Sequence, residues 1–474
     1  MIGLILTFPI FACLIMFLFK KRFLNNFMIN LYALLHLAVS ILSIWGIESK
    51  GTYFAVDETN KIFLLILSVV FFFVALYNNG YSKNFDFPSR RIRHYSYMLL
   101  IFVLSMTGTL LCTNLGIAWV LIEATTLSSA YLIYFNKSKN SIEAAWKYVF
   151  ICSIGIAMAF VGIIFLNIST GSINTLDYSQ LYKYALFFDH DWLNLAFVFM
   201  LFGFGAKMGL APVHFWLPDA HSEAPSPISA LLSAALLNSA FLVIIKVFKI
   251  LEISDCTSYA RNILLLMGFL SLFVTAVFVY HIKNYKRMLA YSSIENMGIL
   301  VIGLALGGEA LYAVVLHLIG HSLAKASFFL TSGNILELFE TKRIKSIKGL
   351  ISADFKTGWL WILSFLAICA FPTSVLFISE FLIVKTMILQ KHYLLCIVFV
   401  ILLTIILFGI GRVAVKMAFG KESSDKAKLL ELNKKKLSLS MYIPQVMMLI
   451  IVFILGIYIP PFLNEVILTA LKGF

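Results

Sequence analysis

The segment 202–227, FGFGAKMGLAPVHFWLPDAHSEAPSP, places a charge and a helix breaker together in an apolar run. Lys207 stands five residues before Pro212. A proline inside a helix removes a backbone donor and clashes with the preceding turn, so we expect a helix to break near "GLAP". Irregular backbone at membrane depth is tolerated only where protein or water satisfies its polar groups. The segment therefore predicts a transmembrane helix that is interrupted beside a buried lysine.

The composition predicts that the whole chain lies in a membrane. Of its 474 residues, 61% are hydrophobic and 13% are charged, against about 25% charged in soluble domains. Apolar runs of about 20 residues recur throughout, and they are continuous rather than alternating, which argues against a β-barrel. We predict a single all-α integral membrane domain over 1–474, with about fourteen spans. Their predicted centres lie near residues 11, 37, 69, 105, 126, 155, 203, 237, 271, 299, 323, 373, 405 and 451.

The net charge of +14 is unevenly placed along the chain. Most lysines and arginines fall in alternate loops, near 20–22, 83–93, 137–147, 283–287, 342–356 and 412–436. Because basic loops stay on the cytoplasmic side, we predict a multi-pass protein of a prokaryotic cytoplasmic membrane with both termini outside. The positive charge is thereby explained by the cytoplasmic loops of a protein in a lipid bilayer, and no nucleic-acid partner is expected.

Motifs for cofactors and for hydrolysis are missing from the sequence. Its six cysteines are scattered singly, without CxxC or CxxCH, so iron–sulfur, haem c and zinc sites lack ligands. Neither a GxGxxG after a strand nor a P-loop is present. We therefore expect no cofactor, no metal and no catalytic residue in this chain.

Ionisable side chains inside the predicted spans are the informative residues. A charge at the bilayer centre costs about 2.5–3.5 kcal/mol, so such groups usually face a polar interior and mark transport paths. A lone charge is often structural instead, and this is the interpretation we favour for Lys246 and Lys385. Four charges on four different spans favour function; they are Glu123, Lys207, Lys325 and Glu380.

Histidines accompany one of these charges. His317, His321 and Lys325 are spaced i, i+4 and i+8, so they share one face of a helix. His317 alone is best explained as a satisfied core residue. Burial favours the neutral form of both lysine and glutamate, so that either can exchange protons near neutral pH, and histidine titrates there without perturbation. The set is therefore typical of a proton relay.

A second helix break is predicted at "AFPTS", around Pro372 and close to Glu380. Broken spans at matching places in two halves indicate transporter repeats and their ion sites. Counting spans gives helices 1–3 in 1–94, helices 4–8 as repeat one in 95–250, helices 9–13 as repeat two in 260–420, and helix 14 in 440–462. The breaks then fall in helices 7 and 12.

Four segments resemble the antiporter-like membrane subunits of respiratory complex I and of membrane hydrogenases. The resemblance covers roughly 95–420, and the hydrogenase-4 component F branch is the most similar, followed by M-type subunits of NADH:quinone oxidoreductase. It implies two inverted five-helix repeats, each with half a proton path. The segments are WVLIEATTLSSAYL (119–132), AKMGLAPVHFWLPDAHSEAPSPISALL (206–232), KRMLAYSSIENMGI (286–299) and HLIGHSLAKASFFLTSGNI (317–335).

The resemblance also implies roles for single residues. Glu123 and Lys207 match a pair on spans five and seven, and Lys325, with His321 and His317, matches the central carrier. Glu380 matches the terminal acid. M-type subunits carry a lysine where this chain has Asn238, and L-type subunits a histidine where it has Ser233, so that both positions are neutral here. Ordered water held by these two side chains would bridge the gap.

The function predicted from these residues is proton translocation driven by a partner redox complex. The expected partners are other membrane subunits and a peripheral redox module, which would hold the redox centres. Two alternatives remain open at this point. One is a multisubunit sodium/proton antiporter without redox chemistry, and the other is a membrane scaffold that does not pump.

Overall fold

The computed structural model describes residues 1–46, 51–84, 88–171, 173, 175–420 and 436–474. Within these ranges the chain is helical, with isolated β-bridges and no strand. The all-α class is thus confirmed. The helices, in chain order, are α1 Ile2–Phe19, α2 Arg22–Ile44, α3 Glu58–Tyr81, α4 Ser89–Leu111, α5 Leu115–Ile133, α6 Lys139–Ser169, α7 Tyr178–Tyr184, α8 His190–Met208, α9 Leu217–Glu223, α10 Ser226–Leu231, α11 Leu237–Ile253, α12 Ser258–Phe278, α13 Tyr285–Leu306, α14 Glu309–Phe339, α15 Leu350–Ala353, α16 Phe355–Ile368, α17 Val375–Leu389, α18 Tyr393–Phe419, α19 Ile443–Ile457 and α20 Pro461–Ala470.

Thirteen helices in the described part of the chain are long and apolar enough to cross a membrane. They include α10 and α11, which a π turn at Leu232–Leu236 joins into one segment. The predicted twelfth span, centred near residue 373, is formed instead by the shorter helices α16 and α17. The protein therefore spans a membrane many times, and the exact number of spans stays a prediction.

The first predicted helix break is confirmed. Helix α8 ends at Met208, and Gly209 follows in the left-handed conformation at φ 82°, where glycine carries no steric penalty. Its N–H caps the carbonyl of Gly205. The backbone stays non-helical until α9 begins at Leu217, and Pro212 lies in this gap. Lys207 thus occupies the last turn of an interrupted helix.

The second predicted break is confirmed as well. Helix α16 ends at Ile368, and α17 begins at Val375. Between them, Ala370 and Thr373 adopt positive φ angles of 51° and 94°. The side chain of Ser374 then caps α17 by accepting a hydrogen bond from the backbone N–H of Phe377 at 3.3 Å. Glu380 follows within the first two turns of α17.

Three segments form the centre of the bundle. The most apolar stretches of α10–α11 and of α14 are fully buried, and that of α13 is 94% buried, whereas α1 and α18 lie at the outside. His317, His321 and Lys325 of the predicted relay lie on α14, one of these central helices. The inverted repeats, the domain limits and the membrane orientation remain predictions, and much of the basic loop at 412–436 lies outside the described residues.

Candidate functional site

Lys207 is completely buried and is held by a tyrosine. Its Nζ donates a hydrogen bond to the hydroxyl of Tyr148 on α6 at 2.7 Å and lies 4.6 Å from the centre of the same ring. The Tyr148 hydroxyl also lies 2.7 Å from Oγ of Ser129 on α5. A buried cation over an aromatic ring gains about 2 kcal/mol. Tyr148 therefore both stabilises the ammonium and connects α8 to α5.

Small residues bring α6 and α8 close enough for this contact. A Cβ atom placed on Gly203 would lie 2.6 Å from the backbone nitrogen of Ala159, and one on Gly155 would lie 2.7 Å from the Cβ of Ala206. Such distances are well below van der Waals contact, so only glycine fits at either position. Close approach through small residues is typical of helix pairs in membranes. It sets the depth at which Lys207 meets Tyr148.

Glu123 is bound by hydroxyl groups. Its Oε2 accepts a hydrogen bond from Thr126 at 3.0 Å, and its Oε1 accepts one from Ser153 of α6 at 3.1 Å. The structure records no ion pair between Glu123 and Lys207 among the described residues. The direct pair that the resemblance implied is therefore not formed here, and the recorded hydrogen-bond partner of the ammonium is Tyr148. Since Tyr148 and Ser153 are five residues apart, about 7.5 Å of α6 separates the two contacts.

Lys325 lies near the middle of α14 and is also completely buried. Its Nζ donates to the carbonyl oxygen of Leu289 at 2.7 Å and to Oγ of Ser292, both on α13. Neither partner is a carboxylate. Lys325 and Lys207 therefore share one arrangement, in which a buried amine is held by neutral oxygen atoms of a neighbouring helix.

The two histidines preceding Lys325 lie on one helix face, as their spacing predicted. The rings of His317 and His321 are nearly parallel, with centroids 6.5 Å apart. His317 contacts Ser379 of α17 through Nδ1 at 2.9 Å and Asn296 of α13 through Nε2 at 3.0 Å. Both ring nitrogens of His321 are buried and have no hydrogen-bond partner in the described part of the chain. Such unsatisfied groups are rare in folded proteins and call for an explanation.

The neutral residues Ser233 and Asn238 reach the central helices directly. Ser233, in the π turn, lies 2.8 Å from Oγ of Ser293. Asn238 donates to Oγ of Ser322 at 2.7 Å. Their partners adjoin Ser292 and His321 in sequence, respectively. A π turn is uncommon and often marks a functional position, but nothing in the sequence predicted it.

Glu380 faces a cavity of about 300 Å³ together with a residue that the sequence analysis missed, Glu295. Glu295 stands near the middle of α13 and is only 8% exposed. Glu295 could have been identified from sequence as an acid at the centre of an apolar span. It was overlooked because the serine and asparagine residues around it in "YSSIENMGI" make this part of the span look polar. Structure alone places the two carboxylates in one cavity.

A buried lysine and a buried histidine at the end of the bundle where α13 begins were also missed. Lys286 is fully buried and donates to the carbonyl of Ala224 at 2.7 Å. His221 is buried with both ring nitrogens unpartnered among the described residues, and its ring stacks on Phe329 at 4.7 Å. The Nζ of Lys325 lies 5.9 Å from the centre of the same phenyl ring. His221 and Lys325 thus both lie beside the ring of Phe329.

Residues 112–409 match the model of the family described as "NADH:quinone oxidoreductase/Mrp antiporter, TM". The matched range contains all of the predicted relay residues, as well as Glu295 and Lys286. The chain belongs to this family. The family that the four sequence segments predicted is thereby confirmed.

One relative agrees with the predicted branch, and two solved structures agree with the fold. The chain is similar to a "Hydrogenase-4 component F homolog" of Methylacidiphilum infernorum, with 32% identity, over 96% of each chain. The structure is similar to a chain of the membrane-bound sulfane sulfur reductase, an archaeal respiratory membrane complex, with a TM-score of 0.89, 21% identity, and coverage of 100% of this chain and 97% of that one. It is also similar to a chain of the Mrp complex from Dietzia sp. DQ12-45-1b, with a TM-score of 0.84, 16% identity, and coverage of 100% and 96%.

The NADH:quinone oxidoreductase/Mrp antiporter fold of this chain has a polar cavity at the end where α6 and α13 begin. This vestibule has a volume of about 800 Å³, and ion pairs cross it. Lys147 contacts Glu143 at 2.6 Å and Asp219 at 3.1 Å, and Arg287 also pairs with Asp219. It adjoins the basic loops that the charge rule predicts to lie inside. Ser222 and Glu223, which follow His221 in sequence, are among its lining residues.

Two further lysines, for which the sequence analysis favoured a structural role, each form an ion pair. Lys246 forms an ion pair with Asp57 at 3.3 Å, and Lys385 forms one with Glu309 at 2.7 Å. Neither pair contacts the buried relay residues. Among the described residues, no three His, Cys, Asp or Glu side chains are grouped so as to hold a metal ion.

Proposed function

We propose that the chain is a proton-translocating, antiporter-like membrane subunit of a hydrogenase-4, formate hydrogenlyase or NADH dehydrogenase type of complex. It lies in a prokaryotic cytoplasmic membrane with both termini outside. Its partners are other membrane subunits and a peripheral redox module, which carries the redox cofactors and drives the proton movement. This chain itself holds none.

The observation that carries the proposal is the state of the two buried lysines. Lys207 and Lys325 are fully buried, and their recorded partners are hydroxyl and carbonyl oxygens. A buried ion pair would hold each lysine in its charged form. A hydroxyl group donates as well as accepts, so Tyr148 can hold either the ammonium or the neutral amine of Lys207. Such a lysine is suited to taking up and releasing a proton.

The path that we propose crosses the middle of the bundle. Glu123 and Lys207, joined through α6, act as the coupling element at one end. Ser233 and Asn238 bridge the neutral stretch to the central carrier Lys325. The remaining members of the path are His321, His317 and Glu380.

The proposal is tested by replacing Lys207. Assemblies purified through a tag on this chain are reconstituted into liposomes, and proton uptake and redox turnover are measured. Lys207→Ala is expected to abolish proton transport while subunit composition and redox turnover persist. The matched control is Lys385→Ala, which removes a lysine that pairs at the surface. Retained transport in the Lys207 variant would contradict the proposal.

The identity of the redox module is tested by what co-purifies with the tagged chain. Nickel–iron hydrogenase or formate dehydrogenase subunits would assign the hydrogenase-4 type. A flavin-containing module that oxidises NADH would assign the NADH dehydrogenase type. Small membrane partners without any redox subunit would contradict both.

A second candidate function is a subunit of a sodium/proton antiporter without redox chemistry. The observation that favours it is the cavity shared by Glu295 and Glu380. Sodium prefers several oxygen ligands, and this cavity has two carboxylates where the sequence analysis identified only Glu380. Transport by the reconstituted protein in choline-only and in sodium-containing buffers separates the two functions. A strict sodium requirement without any redox subunit would select the antiporter.

A further inference from the structure

One cavity is lined by two acidic side chains that come from different helices. The cavity of about 300 Å³ is lined by Glu295 of α13 and Glu380 of α17, by Cys369 in the break before α17, and by Thr404 of α18. Glu380 is the terminal relay residue of the proposed function. Glu295 has no role in it so far.

Glu295 is buried without a partner. It is 8% exposed, and no hydrogen bond or ion pair is recorded for its carboxylate within the described part of the chain. An unpaired charged carboxylate at such a site costs several kcal/mol, whereas a protonated one costs far less. A carboxyl group without a hydrogen bond or an ion pair at the middle of a buried helix is costly to retain for packing alone. Its position therefore favours a group that gains and loses a proton.

Glu295 lies next to the residues that hold the central carrier. Ser292, which accepts a hydrogen bond from Lys325, is three residues earlier on α13. Positions i and i+3 of a helix share one face, with Cβ atoms about 5–6 Å apart. The carboxylate of Glu295 is thus one helical turn from the oxygen that receives the Lys325 ammonium.

Asn296, which follows Glu295 on α13, is linked through His317 to the residue next to Glu380. Asn296 contacts Nε2 of His317, and Nδ1 of that ring contacts Ser379, the neighbour of Glu380. This histidine clamp fixes α13, α14 and α17 against one another. The two residues that bond His317, Asn296 and Ser379, adjoin Glu295 and Glu380 in sequence. The histidine clamp therefore helps to fix the distance between the two acids.

The geometry points to Glu295 as a further proton-carrying residue, which passes protons between Lys325 and Glu380 through the cavity. The inference rests on the proposed function and extends its path. A proton leaves the ammonium of Lys325 and neutralises the carboxylate of Glu295, leaving a neutral amine and a neutral acid. It then passes to the carboxylate of Glu380, and Glu295 returns to its charged form. No oxidant or other reactant is needed.

Three variants of the purified assembly test this role in proton-transport measurements. Glu295→Gln keeps the size of the side chain and removes the titrating group, and transport is expected to fall at least about tenfold. Glu295→Asp keeps a carboxylate and is expected to restore most of the rate. The matched control, Glu309→Gln, neutralises an exposed acid on α14 that pairs with Lys385, and should behave as wild type.

Labelling with dicyclohexylcarbodiimide adds a readout that does not require transport. This reagent modifies protonated carboxyl groups in apolar surroundings, and mass spectrometry locates the adduct. We expect adducts on Glu295 and Glu380 of the full chain in membranes, and none on Glu309. In Glu295→Gln, the adduct on Glu380 should persist, because the cavity remains.

The outcomes separate this inference from the proposed function. If wild type moves protons and Glu295→Gln moves them equally fast, the inference is wrong and the proposed function stands. Equal loss in Glu295→Gln and Glu295→Asp would show a structural role, which also overturns it. If only sodium-coupled transport is lost, the cavity binds a cation instead. A wild type without any proton transport removes the proposed function and the inference together.

Discussion

The ammonium of Lys207 lies 2.7 Å from the hydroxyl of Tyr148, and that hydroxyl lies 2.7 Å from Ser129. This contact replaces the ion pair with Glu123 that the sequence led us to expect. Lys207, Tyr148 and Ser129 thus form a chain of three side chains across α8, α6 and α5. Hydroxyl groups in such a chain can pass a proton without moving the helices.

Tyr148→Phe tests whether this hydroxyl belongs to the path. The variant keeps the ring beneath Lys207 and removes one hydrogen bond to a buried charged group, worth about 1.5–3 kcal/mol. Proton transport is expected to fall about tenfold or more, with redox turnover retained, when both are measured on reconstituted assemblies. Tyr280→Phe, which loses only a hydroxyl contact to the carbonyl of Ile405, is the control. Equal rates in the two variants would remove Tyr148 from the path.

Asn238→Leu tests the bridge between the two lysines. Leucine has the same branching and number of heavy atoms but cannot donate to Ser322, so the polar contact between α11 and α14 is lost. We expect transport to decline about tenfold while the assembly forms normally. Its neighbour Ser239 bonds only to the carbonyl of Ala235 in its own helix, so Ser239→Ala should transport at the wild-type rate. A fully active Asn238→Leu protein would show that protons bypass this position.

Gly203→Ala tests the packing that positions Lys207. The added methyl group would lie 2.6 Å from the backbone nitrogen of Ala159, so α6 and α8 must separate. Overpacking of this kind costs about 1–3 kcal/mol, and we expect a lower thermal unfolding temperature in detergent together with slower transport. Gly3→Ala adds the same methyl group where nothing lies within 4 Å and should change neither. An unchanged unfolding temperature in Gly203→Ala would show that the helices adjust freely.

Much of the fold was readable from one chain, because membrane insertion is a local property. Each span must be apolar over its own length, so hydropathy located the helices. Pro212 and Pro372 marked the two interruptions, since proline acts on the turn that precedes it. Charges such as Lys207 and Lys325 stood out because the desolvation of each is costly wherever its partners are.

The neighbours of those charges were not readable in the same way. Glu123 and Lys207 are opposite charges on different helices, and the distance between them depends on how α5, α6 and α8 pack against one another. Tyr148 passed unnoticed because a tyrosine in a span is ordinary. Glu295 was missed because serine and asparagine surround it in sequence, whereas in space it faces apolar walls and Glu380.

The sequence by itself therefore determined which segments enter the membrane, where two helices break, to which family the resemblance points and which charges are costly enough to need a purpose. Only the tertiary structure decided which oxygen atoms hold Lys207 and Lys325, and that Glu295 and Glu380 share one cavity. The physical reason is the distance along the chain over which each effect acts. Hydrophobicity and proline chemistry act within a few residues of the chain, whereas a hydrogen bond or a shared cavity depends on ångström-scale distances between helices that are far apart in sequence.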